Sequence, residues 1–165
     1  MSDAARSPLA LRTALEEGDV EAAVACFAAD AVLRSPLTDA LAFRGHDEIR
    51  TVTEIVLASF QERSYGEVVA AGPTAFIAWS ALVGGRSIEV VDRLELDGDG
   101  RIRELSVFCR PLPAATAALR VVGTALARRN GRARAALVSA ATFPLATLAG
   151  AGDAVGLELV RPALR

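Results

Sequence analysis

The stretch from residue 66 to residue 110 constrains the fold most. Four runs, 66–71, 74–83, 86–96 and 101–110, alternate apolar and polar residues and are separated by Gly72-Pro73, Gly84-Gly85 and Asp97-Gly98-Asp99-Gly100. A period of two is that of a strand, and breaks this short suit hairpins, so the runs read as an antiparallel meander. A two-residue loop at Gly84-Gly85 pairs residue 83 with residue 86, which sets Ile77 opposite Asp92 and Trp79 opposite Val90. A four-residue loop at Asp97–Gly100 pairs Leu96 with Arg101 and sets Leu105 opposite Asp92. Together these registers gather Ala75, Ile77, Trp79, Ala81, Val83, Ile88, Val90, Leu94, Leu96, Leu105, Val107 and Cys109 on one face. A slip of one residue would destroy that agreement.

Asp92 stands near the middle of this apolar face as its only charge. A carboxylate there must be paired, hydrogen-bonded or protonated, because an isolated buried charge is costly enough to move its own pKa. It is therefore the candidate site, either as a ligand-contacting acid or as a buried carboxyl satisfied by its neighbours. Arg34, at the end of a short strand 31–34, is its candidate ion-pair partner, and Ser35 before Pro36 is either a ligand contact or a plain turn serine. Ile77, Trp79, Val90, Leu105 and Val107 are the predicted apolar contacts around it.

Upstream, Ser7-Pro8 opens a helix that Gly18 closes, and Asp19 caps a second with Val20, Ala23, Val24 and Phe27 on one face. A third helix of roughly 15 residues after Gly45 places Ile49, Val52, Val56 and Phe60 together. The hydrophobic fraction of 52% in 165 residues suits one well-filled domain.

Charge divides the chain near Arg110-Pro111. Residues 1–110 hold 11 Arg against 18 acids, net −7, and residues 111–165 hold 7 Arg against 2 acids, net +5. The tail is thus expected to pack on the acidic body or on a twin subunit. It reads as helices near 114–129 and 132–149, kinked at Pro144, then a strand at 155–160. Residues 135–152 carry no charge, but their alanine-rich composition is too weakly apolar for a membrane span.

Other chemistry is sparse. Cys26 and Cys109 have no motif spacing and read as buried structural thiols, while His46, the single histidine, sits at a helix start. Asp97–Gly100 lacks the later ligands of a calcium loop, and there is no phosphate loop, CxxC pair or nucleophile elbow, so neither cofactor nor metal is expected. The basic run around Asn130-Gly131 has no interleaved aromatics, which argues against nucleic acid. The opening residues have no apolar signal core, which points to the cytoplasm.

A helix, a second helix starting GDVEAAVACFAADAVLRSP, a third after FRGHDEI, and a meander ending VVDRLELDGDGRIRELSVF resemble the NTF2-like superfamily, in its SnoaL-like and ketosteroid-isomerase-like branch. The resemblance spans about residues 9–112. It implies an α+β fold, a cone-shaped curved antiparallel sheet wrapped around the N-terminal helices, with a deep apolar pocket and commonly a homodimer. Residues 1–112 would form that domain and 113–165 a helical extension packed on it.

In the steroid isomerases of this branch, a strand acid kept protonated by an apolar site donates a hydrogen bond to the substrate, and Asp92 matches its place. Their proton-shuttling base matches Ser35 and their partner tyrosine matches Leu11, so both are changed here. The second acid of limonene-epoxide-hydrolase-like members matches Val107. SnoaL-like cyclases use a pocket acid, which Asp92 alone supplies. The expected function is binding of a small hydrophobic molecule, with acid/base catalysis of cyclase or isomerase type by Asp92 or, alternatively, a non-catalytic binding or dimerisation module.

Overall fold

The computed structural model describes residues 6–36, 38, 41–129, 131–142 and 144. The predicted strand at 155–160, the far end of the second tail helix and the residues flanking Pro144 lie outside them. Helix α1 (Arg6–Glu17) buries Pro8, Leu11 and Ala14. Helix α2 (Val20–Ala25) starts where the Asp19 carboxylate accepts the Ala22 amide, the predicted cap. Strands β1 (Phe27–Arg34) and β2 (Ala42–Arg44) precede helix α3 (Gly45–Ser59), and then come β3 (Gln61–Ala71), β4 (Thr74–Val83), β5 (Arg86–Leu96), β6 (Ile102–Arg110) and helix α4 (Leu112–Arg129). Residues 132–142 are helical as well.

The six strands form one curved sheet in the order β2-β1-β6-β5-β4-β3. Neighbours pair antiparallel except β1 with β6, which run parallel. That pairing makes the sheet mixed, and it explains why β1 is longer than predicted. The periodicity assigns Phe27 to the helical face of α2, yet Phe27 pairs with Ile102, and the Ile102 amide donates to the Cys26 carbonyl at 3.0 Å. Tertiary pairing ends the helix early. His46 Nε2 donates to the Phe27 carbonyl at 3.0 Å and so ties the start of α3 to this corner. Strand β3 likewise begins five residues before its predicted start, through irregular pairing near Gln61 and Ser64.

The β4–β5 hairpin has the predicted register throughout, from Val83↔Arg86 to Thr74↔Glu95, and includes Ile77↔Asp92 and Trp79↔Val90. Gly84 and Gly85 both have positive φ, 56° and 74°, the backbone that a tight two-residue hairpin loop demands. The β5–β6 register differs from the prediction by two residues. Asp97 Oδ1 accepts the amides of Asp99 and Arg101, which holds Arg101 inside the loop, so Leu96 pairs with Ile102. An irregularity between Glu95 and Leu96 adds the second residue of offset and sets Val107, not Leu105, opposite Asp92. An offset of two leaves every side chain on its predicted face.

The core lies between this inner face and the helices. Leu11, Ile49, Ile77, Leu94 and Ile102 are at most 2% exposed and belong to one cluster. Helix α4 packs against α3 and β4–β6, where Ala114 and Ala118 meet Phe60, Val83, Ile88 and Val90. Its far end is tied to α3 by Arg129, whose guanidinium donates to Glu54 and Thr51. No helix among the described residues is long and apolar enough to cross a membrane.

Gly45 is the tight point of this assembly. Its φ is +67°, and an added Cβ would stand 3.3 Å from the Ala29 carbonyl oxygen on β1. Gly45→Ala is expected to cost about 1–2 kcal/mol, since a side chain is disfavoured there and a strand backbone must yield. Denaturant unfolding measures it, and a stability equal to that of the parent chain would refute the strain.

Candidate functional site

The curvature of the sheet and the packing of α4 leave a cavity of about 170 Å³ between them. Its floor is the inner face of the meander, where Trp79, Val90, Asp92, Leu105, Val107 and Cys109 point inward. Leu11 and Leu15 of α1 and Val52, Thr53 and Val56 of α3 form one side. Ala118, Leu119, Val122, Gly123 and Leu126 of α4 form another, while Ser35, Pro36 and Leu41 stand on the loop side. The volume exceeds the ~150 Å³ of a cavity known to hold benzene, so there is room for a ring-sized molecule.

Asp92 is the polar point of this wall and is 5% exposed. Trp79 Nε1 donates to its Oδ2 at 2.8 Å. Burial pushes the Asp92 carboxyl up to about 7, and the indole hydrogen bond offsets part of that rise. The carboxyl therefore exchanges its proton near neutral pH. Tyr65 stacks on Trp79 at 5.6 Å between centroids and Phe60 tilts against it at 6.0 Å, so two aromatic rings flank the acid's hydrogen-bond donor. The Tyr65 phenol is pushed up to about 12, chiefly by burial, with Arg63 opposing and Asp92 adding to the rise. Cys109 is a free thiol raised by burial and by the neighbouring Asp92.

The predicted site residues divide by position. Ser35, Trp79, Val90, Leu105 and Val107 border the cavity with Asp92. Ile77 does not: it is fully buried behind the cavity wall, in the core. Arg34 is not the partner of Asp92, because its side chain, 53% exposed, pairs with Glu104 of the adjacent strand at 2.9 Å. Arg34 is three residues from Ala31, which is buried, so the alternation of β1 turns it to the opposite face.

Two contributors escaped the sequence reading. Tyr65 is the single tyrosine of the chain, but it precedes residue 66, where the alternation begins, so periodicity alone does not place it on the inner face. The tail is expected to pack on the body, but periodicity does not single out the residues of the α4 wall, although Leu119, Val122 and Leu126 recur at helical spacing. Among the described residues no three His, Cys, Asp or Glu side chains converge as a metal site would require.

A curved mixed sheet closing over helices around an apolar cavity, with a strand acid inside, defines an NTF2-like protein. The family profile of the SnoaL-like domain matches residues 9–105, well over half of the chain, and the chain belongs to that family. Among solved structures, a steroid delta-isomerase from Pseudomonas aeruginosa superposes with a TM-score of 0.71 at 26% identity, covering 79% of this chain and 96% of that one. An NTF2-like protein of unknown function from Burkholderia xenovorans LB400 superposes with a TM-score of 0.57 at 15% identity, over 65% of this chain and 82% of that one. The epoxide hydrolase/cyclase-like enzyme SalBIII, of pyran ring formation in salinomycin, gives 0.54 at 20% identity over 65% of this chain and 90% of its own. Comparison with curated proteins returns no match.

Proposed function

We propose that this protein binds a small hydrophobic molecule in the cavity and that Asp92 exchanges a proton with it, the elementary act of a cyclase- or isomerase-type reaction. The observation that carries the reading is a carboxyl buried in a hydrocarbon wall, bonded to one indole N–H, and raised to about 7. A group with a pKa near the working pH both gives and takes a proton. The named activities of the steroid delta-isomerase and of SalBIII support chemistry on cyclic hydrophobic molecules. A cavity of about 170 Å³ favours one or two rings over a four-ring skeleton.

A second reading, a non-catalytic binding or dimerisation module, draws support from Val107 standing opposite Asp92 where a second acid would complete an acid/base pair. Val69, Phe76, Val91 and Phe108, exposed on the outer face of the sheet, are consistent with a homodimer. The cytoplasm is the compartment of both readings.

Trp79 is the single tryptophan and forms part of the cavity wall, so its emission reports occupancy. Isobutylbenzene is expected to shift that emission saturably in the parent chain and not in Ala118→Phe, whose ring would fill the cavity. Failure of every one- or two-ring hydrophobic molecule to bind the folded protein would reject the binding reading. Turnover left unchanged by Asp92→Asn would reject the catalytic one.

A further inference from the structure

The cavity is half built for an ion pair. Trp79 Nε1 can only donate, and a donor to a carboxyl oxygen favours the ionised form. Yet no Arg or His borders the cavity among the described residues, and Arg34 is engaged by Glu104. Oδ1 of Asp92 takes no hydrogen bond from any described side chain or amide, while the residue borders the cavity. A ligand that brings one positive charge completes this arrangement, because the attraction is strong where water is excluded and the charge is otherwise uncompensated. The rings of Tyr65 and Phe60 beside Trp79 favour a cation over a neutral group.

The number of hydrogen bonds narrows the class further. Oδ1 of Asp92 is the one charged acceptor on offer, and the other oxygens of the wall are the neutral hydroxyls of Ser35, Thr53 and Tyr65, so a primary ammonium would bring three N–H groups to a single carboxylate oxygen. We propose that the ligand of this cavity is a hydrophobic tertiary amine, its single N–H on Asp92 Oδ1 and its ring and alkyl groups against the apolar walls.

The inference rests on the hydrophobic-molecule reading above and is compatible with its proton exchange. An amine that arrives uncharged takes the Asp92 proton: the O–H bond breaks, an N–H bond forms, and the ion pair remains, with no other reactant. From β3 the group facing Asp92 is Tyr65, with Glu16 of α1 near that phenol, and from β6 it is Cys109. The phenol stands at about 12 and the thiol above its ordinary value, so neither changes charge near neutral pH. Helices α1, α3 and α4 present no charged side chain to the cavity among the described residues.

Three probes of matched shape test it through Trp79 emission: N,N-dimethylbenzylamine, its carbon analogue isobutylbenzene, and the ketone propiophenone. At about pH 8 the amine is expected to bind about tenfold or more tighter than isobutylbenzene. Its affinity should rise about tenfold from about pH 6 to about pH 8, as Asp92 ionises, while propiophenone weakens over the same range. In Asp92→Asn the amine's advantage should shrink to within about twofold, with isobutylbenzene binding retained. Propiophenone binding more tightly than the amine at about pH 8, or an amine affinity indifferent to pH, would overturn the proposal without any variant. Binding of isobutylbenzene alone would remove the amine and leave the hydrophobic reading, and binding of none of the three would remove both.

Discussion

Asp92→Asn is expected to make the protein more stable at pH 8, by an amount with a ceiling near 4 kcal/mol. Burial raises the folded-state pKa of Asp92 from 3.8 to about 7. Below about pH 4 the carboxyl is protonated in both the folded and unfolded chains, and its burial carries no charge penalty. Between about pH 4 and about pH 7 the unfolded chain has released the proton and the folded chain has not, so stability falls as pH rises. Above about pH 7 the loss is complete and the profile flattens.

Asparagine keeps an oxygen for the Trp79 N–H and cannot ionise, so the variant should lack this decline. Glu21 and Glu104, held down mainly by hydrogen bonds from Arg50 and Arg34, have the opposite dependence, but both proteins share them and the difference cancels them. Denaturant unfolding of parent and variant at several pH values measures it. Parallel profiles would show that Asp92 does not titrate differently on folding. A gain in stability on removing a charge would also mark the position as one where folding is compromised for a ligand.

Ile77→Ala is expected to destabilise the fold by about 3 kcal/mol, within the range of about 2–5 found for buried Ile or Leu. Ile77 has no exposed surface, pairs with Val68 on one side and Asp92 on the other, and belongs to the core that includes Leu11, Ala14 and Leu94. Truncating it opens a void that close-packed neighbours fill only in part. Val107→Ala is the matched control. Val107 also neighbours Asp92, but it borders the cavity, where some of its atoms already face empty space, and its loss should cost about 1 kcal/mol. Equal losses from the two variants would mean that the boundary between core and cavity is drawn in the wrong place. The pair separates a residue that supports the site from one that lines it, which the sequence reading had grouped together.

The β4–β5 pairing was legible because every determinant is local: a Gly-Gly loop compatible with one tight turn, and a period of two long enough to reveal a one-residue slip. Asp92 was legible for the same reason, as the charge that breaks an apolar alternation. The β5–β6 register was legible only in its face, because backbone amides bonding to the Asp97 carboxylate lengthened the loop in a way that residue counting does not reveal. The partner of Asp92 was misread. Its donor is Trp79, two pairs along the ladder on β4 and so on the same face, while Arg34 turns to Glu104 on the other side of the sheet.

Short-range patterning alone thus determined the first three helices, the strands of the meander, which face of the meander is buried, and that an acid lies within it, but not β2 or the starts of β1 and β3. The tertiary structure decided the rest: β1 beside β6 in parallel, the early end of α2, and α4 as the wall that bounds the cavity at ring size. Each of these joins residues far apart in the chain. Such contacts form where packing energy exceeds the entropy of closing a long loop, and no local period or turn residue records that balance.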